Sequence, residues 1–142
     1  MVKNLSINCT GKQFKVNKYK IHKLVNALIK ELNFSITSLP INIVTTEQII
    51  SINKSYLNHH YSTDIITFNY SGDVCNLDGE IFISSDDAKL NAKRFNSTLK
   101  KEYYRLVIHG ILHLIGYDDI KQSNKIIMKK LENKLLNQLK FI

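Results

Sequence analysis

The sequence predicts an α+β domain: a small mixed four-stranded sheet packed by about five helices. Three observations carry this. Short alternating or β-branched runs are interleaved with longer runs of 3.6-residue apolar periodicity. Their order reads β-α-β-α-β-β-α-α-α, without repeats, low-complexity tracts or linkers. The 142 residues suit one domain with a proper hydrophobic core.

Each element has a local reason. Residues 2–9 alternate through Leu5, Ile7 and Cys9, as a first strand does. From Asn17 to about Asn33, Ile21, Leu24, Val25, Leu28 and Leu32 recur at helical spacing, with lysines filling much of the remainder. Pro40 precedes Ile41-Asn42-Ile43-Val44, an alternating second strand. Thr45 and Gln48 have capping-box spacing and open a helix to about Leu57.

Thr63 to Tyr70 is the strongest strand signal, and Gly79 to Ser84 is a further strand suited to antiparallel pairing with it. Ser84-Ser85-Asp86-Asp87 starts a helix, with acids where the helix dipole favours them, running to about Phe95. Asn96-Ser97-Thr98 breaks it and caps the next, whose stretch from Ile108 to Ile115 is almost wholly apolar and predicts burial on most sides. A last helix from about Ser123 to Lys140 carries Ile127, Met128, Leu131, Leu135 and Leu139.

Composition narrows the function classes. Hydrophobic residues make up 44% and charged residues 23%, as in a soluble globular protein. The formal net charge of +8 favours anionic partners, nucleic acid first, although the lysines are scattered. Cys9 and Cys75 form no C-x-x-C pair, and so few cysteines predict no disulfide framework; a reducing cytoplasm is the simplest setting. The N-terminus lacks an apolar signal core, and no run approaches the ~20 apolar residues that span a bilayer. A membrane is therefore not an expected partner.

The chemistry concentrates in one stretch, His109-Gly110-Ile111-Leu112-His113-Leu114-Ile115-Gly116-Tyr117-Asp118-Asp119. Residues at i and i+4 share a helix face, with Cβ atoms about 5–6 Å apart, so both imidazoles can address one ion. Gly116 suits the left-handed turn that ends a helix, after which the chain doubles back with Asp118 and Asp119. The pattern H-x-x-x-H-x-x-G-x-x-D supplies three ligands, His109, His113 and Asp119, and zinc in catalytic sites commonly takes three and keeps one position for water. Asp118 is the alternative third ligand. A metzincin protease has this spacing too, but with a glutamate base after the first histidine. Gly110 stands there and cannot move a proton, which argues against a protease.

The same stretch closely resembles the H-G-x-L-H-L-x-G-Y-D-H signature of the YbeY family. Leu57-Asn58 to Tyr61 followed by Thr63-Asp64-Ile65-Ile66-Thr67-Phe68 is similar to its L-N-x-x-Y…T-D-V-L-S-F block. Gly79 to Ser84 is similar to its G-D-I-x-I-S strand, and Met128 and Glu132 fit its C-terminal helix. The resemblance covers most of the chain. It implies a single metal-dependent hydrolase domain over residues 1–142, a single-strand-specific endoribonuclease of ribosomal RNA processing and small-subunit maturation. It further implies one Zn2+, with other divalent metals acceptable, RNA and the small ribosomal subunit as partners, and no DNA.

Three positions depart from the family pattern. Asp119 stands where the family has a third histidine; a carboxylate reduces the site's net charge and shifts metal choice toward harder ions. Ser62 follows Tyr61 where the family has an arginine, leaving His59, His60, Lys54 or Arg94 as substitutes. Glu80 replaces an aspartate.

The proton acceptor stays open among Glu80, Asp118 and Asp64, each with a competing structural role such as orienting a ligand histidine or capping. Tyr117 is read as packing on the glycine turn rather than stacking on a base, and His59-His60 as a solvated loop rather than an RNA contact or second metal site. Scattered lysines would attract RNA without regard to sequence. The competing function is a ribosome-assembly or RNA-binding factor whose metal is mainly structural, motivated by the missing base and the missing arginine.

Overall fold

A computed structural model describes residues 1–10, 16–58 and 63–139. Its elements are β1 (Leu5–Cys9), α1 (Lys18–Leu32), β2 (Ser35–Val44), α2 (Thr46–Leu57), β3 (Ile65–Asn69), β4 (Asn76–Ser84), α3 (Ser85–Arg94), α4 (Leu99–Leu114) and α5 (Gln122–Gln138). The order is the one the periodicities predict. No helix among the described residues is long and apolar enough to cross a membrane. Cys9 and Cys75 are both free thiols.

Capping residues set the helix ends. Asn17 caps α1 by accepting from the Lys20 amide, and Asn33 closes that helix at φ +56°. Thr45 and Gln48 form the full capping box of α2. Ser84 and Thr98 cap α3 and α4.

The sheet runs β1-β2-β4-β3. β1 and β4 both pair with β2 in parallel, and β3 pairs antiparallel with β4, so the sheet is mixed. Alternate side chains point to opposite faces. Leu77, Ile81 and Ile83 of β4 join Leu39, Ile41 and Ile43 of β2 in the main core with α1 and α4. Phe82, Ile66 and Phe68 fall on the other face, where a smaller cluster forms with Ile49 of α2.

Two strands start earlier than expected. β2 begins at Ser35, so Pro40 lies inside it rather than ahead of it, on a central strand. A proline lacks the amide a ladder needs. The Leu39 amide bonds the Asn4 carbonyl on the β1 side, while the β2–β4 ladder steps from Ser38↔Asp78 to Ile41↔Ile81 without a pair at Pro40. The missing donor thus falls where no bond is drawn. β4 likewise begins at Asn76, ahead of the expected Gly79.

α4 is the buried axis of the domain. Tyr103, Tyr104, Leu106, Val107, Ile108, Ile111, Leu112 and Leu114 are all buried. Gly110 lies against the sheet: a Cβ there would sit 2.9 Å from Ile81 Cδ1 and 3.0 Å from Ile65 Cδ1. The glycine that replaces a metzincin's glutamate is therefore a close-approach residue between helix and sheet.

Candidate metal centre and its cleft

One stripe of α4 escapes the core. Arg105, His109 and His113 recur every four residues, so one helix face carries all three. His109 and His113 are only partly exposed, with their Nε2 atoms 3.0 Å apart.

The helix then ends in a Schellman turn. The Gly116 amide bonds the His113 carbonyl, the Tyr117 amide bonds the Leu112 carbonyl, and Gly116 takes φ +112°. This reversal carries Asp119 back over the helix end. Its Oδ2 lies 3.7 Å from Nε2 of each histidine. The three donor atoms all fall within 4.8 Å of one another, so His109, His113 and Asp119 form a group that could hold a metal ion.

Asp118, the alternative third ligand, is occupied elsewhere. Its Oδ1 accepts from the Ile120 amide and from Asn124 Nδ2, tying the turn to the start of α5. Tyr117 is held through its backbone, its side chain is exposed, and its ring does not line the cleft.

Glu80, offered as a proton acceptor, lies on the sheet face opposite α4. It accepts from Asn42 Nδ2 and from the Tyr70 hydroxyl. Asp64 does reach the cleft, with Oδ2 held by Asn91 Nδ2 at 3.0 Å. Of the substitutes for the missing arginine, Arg94 lines the cleft and Lys54, on α2, does not. His59, His60, Tyr61 and Ser62 lie outside the described residues.

Sequence reasoning missed what holds the first histidine. Glu132 of α5 is buried, and its Oε2 lies 2.7 Å from His109 Nδ1. With the proton on Nδ1, His109 donates to Glu132 and keeps the Nε2 lone pair for the site. Arg105 donates to Glu132 Oε1 through Nη1 and to both Glu102 oxygens through Nε and Nη2. Asn91 joins Glu102 Oε2 to Asp64 Oδ2. One polar chain therefore runs Asp64-Asn91-Glu102-Arg105-Glu132-His109. The readable signal was a Glu102, Arg105, His109, His113 series at spacings of three and four in a helix that is otherwise largely apolar beyond its first turn.

Electrostatics agree with this assignment of roles. Hydrogen bonds to Glu102 hold the Arg105 guanidinium firmly charged, above its already high range. Burial, and then His109 beside it, push His113 below the usual histidine range, which keeps it a neutral donor at pH 7. The cleft beyond the histidines has a volume of about 550 Å³ and is walled by α3, α4 and α5.

The family model for endoribonuclease YbeY matches residues 6–140. Endoribonuclease YbeY of Karelsulcia muelleri is 45% identical over 81% of this chain and 76% of its own length. That of Cytophaga hutchinsonii is 38% identical over 86% of this chain and 85% of its own. The solution structure of TM1509 from Thermotoga maritima superposes with a TM-score of 0.63 at 29% identity, covering 93% of this chain and 86% of that one. With the four-stranded mixed sheet and the His-x-x-x-His helix both present, the chain belongs to the endoribonuclease YbeY family.

Proposed function

We propose that this endoribonuclease is a single hydrolase domain that cuts single-stranded RNA with one divalent ion, Zn2+ first, held by His109, His113 and Asp119. Its proposed setting is the cytoplasm, its substrate ribosomal RNA, and its task maturation of the small ribosomal subunit. The observation that carries the reading is the convergence of three donors, from two turns of one helix and the loop beyond it, within 4.8 Å.

The donor set fits the ion. Zinc takes imidazole nitrogen and carboxylate oxygen at about 2.0–2.2 Å, which puts tetrahedral ligands about 3.3 Å apart. The separations of 3.0 and 3.7 Å bracket that value. An oxygen ligand in place of a third nitrogen also admits harder divalent ions. When bound, the ion supplies Lewis-acid polarisation of a phosphoryl oxygen and acidifies water.

The protein's own residues do the rest. Glu132 fixes the tautomer and orientation of His109. Arg105 holds Glu132 in place from behind. Asp64 is the one remaining candidate acceptor that lines the cleft. A ribosome-associated factor with a merely structural metal is not favoured, because the chain's family is one of endoribonucleases.

Chelator treatment is expected to abolish cleavage of a single-stranded RNA, and added zinc to restore it. Unchanged cleavage after complete metal removal would refute the reading. Glu132→Gln keeps the shape but weakens the acceptor for His109. It is expected to lower zinc affinity by about 10–100-fold, as seen in a competition titration with a zinc-sensitive dye.

A further inference from the structure

The cleft continues away from the histidines along α4. Lys101, Arg105 and His109 lie on its wall at four-residue intervals, so it runs about 12 Å along the helix at 1.5 Å per residue. Its far end is built differently from its metal end. There Phe95, 57% exposed, and Arg94 stand at the end of α3, across from Lys101. Lys125 and Lys129 of α5 line the opposite wall.

Among the described residues, Arg94, Lys101, Lys125 and Lys129 have no ion-pair partner. The cleft also carries four carboxylates, of which Glu102 and Glu132 are bound by Arg105 and Asp119 belongs to the candidate metal group, so the four uncommitted cations are left to attract a polyanion. The backbone beside the aromatic ring is fixed as well. The turn that follows it is pinned by the Ser97 amide on the Ala92 carbonyl, and Asn96 takes φ +51°. What sets Phe95 apart from other exposed apolar side chains is its place on a cleft lined by these cations, where its ring offers a flat face. Nucleobases of a single strand are flat, unstacked and tethered to phosphates.

We infer that Phe95 is a base-stacking platform for single-stranded RNA: a nucleobase a few nucleotides from the scissile phosphate lies on its ring, while Arg94 and Lys101 hold the neighbouring phosphates. This rests on the endoribonuclease reading and extends it to a specificity residue. It supplies a physical reason for single-strand preference, since a paired, stacked base cannot reach the ring.

The test uses metal-loaded protein, with fluorescence anisotropy for binding and gels for cleavage. Phe95→Ala is expected to bind a single-stranded RNA about 5–150-fold more weakly, and Phe95→Tyr to bind it as the parent does. An abasic site walked along the RNA should find one position where losing the base costs the parent as much and costs Phe95→Ala nothing more. Phe95→Ala should leave the salt dependence of binding unchanged, whereas Lys101→Ala should reduce its slope by about 0.7.

Parent-like binding by Phe95→Ala, or an equal loss on duplex RNA, would overturn the inference. RNA bound through Phe95 but not cut would count against the hydrolytic reading alone. RNA cut normally by Phe95→Ala with parent-like affinity would count against the platform alone.

Discussion

His113→Ala is expected to abolish both stoichiometric metal binding and RNA cleavage while leaving the fold intact. His113 sits at the C-terminal end of the α4 stripe, and among the described residues its Nε2 meets His109 and Asp119. Its removal leaves two donors on a partly solvated surface, too few for a tight zinc site. The loss in turnover should reach about 10³-fold or more, equal to roughly 4 kcal/mol of barrier. Elemental analysis, gel cleavage and circular dichroism on the same preparation check it. Because the helix is capped by Thr98 and packed by its other face, the helical signal should persist.

Arg105→Ala is expected to cost the most stability of any single change near the site. Arg105 neutralises two carboxylates, of which Glu102 is 2% and Glu132 4% exposed. Truncation leaves both charges buried with no cation. Breaking such a group typically costs about 3–5 kcal/mol, which lowers the melting temperature of a domain this size by roughly 10–17 °C. Arg105→Lys should recover only part of it, because an ammonium cannot fork to Glu102 and reach Glu132 together. Differential scanning calorimetry gives the shift. A secondary loss of zinc affinity should accompany it, since Glu132 no longer has its anchor. Unchanged melting for Arg105→Ala would mean that the network contributes little to the fold.

Both predictions come from one helix, and that helix was mostly legible in the sequence. Its histidine spacing, its glycine turn and the aspartate beyond it are local features, set within the single stretch from His109 to Asp119. The same holds for the caps at Thr45, Ser84 and Thr98, whose hydrogen bonds span three residues.

What was hidden depends on distant partners. Glu132 fits the family's C-terminal helix, but its role is not legible until α5 folds back and sets it 2.7 Å from His109. Glu80 looked like a candidate base because nothing local tells which sheet face it occupies. Strand parity with Phe82 sends it away from α4. The early half of β2 was missed because Ser35, Ser38 and Pro40 are weak strand residues. Pairing on both sides overrides that preference. Phe95 was read only as the end of α3, and its place on the cleft needs three helices at once.

The most direct check is a crystal structure of the zinc-loaded protein with anomalous data at the zinc edge. One ion bound by Nε2 of His109, Nε2 of His113 and an Asp119 oxygen, with Glu132 still on His109 Nδ1, is the expected result. An ion bound through Asp118 instead, or a fully loaded sample with no anomalous peak between the two histidines, would contradict it.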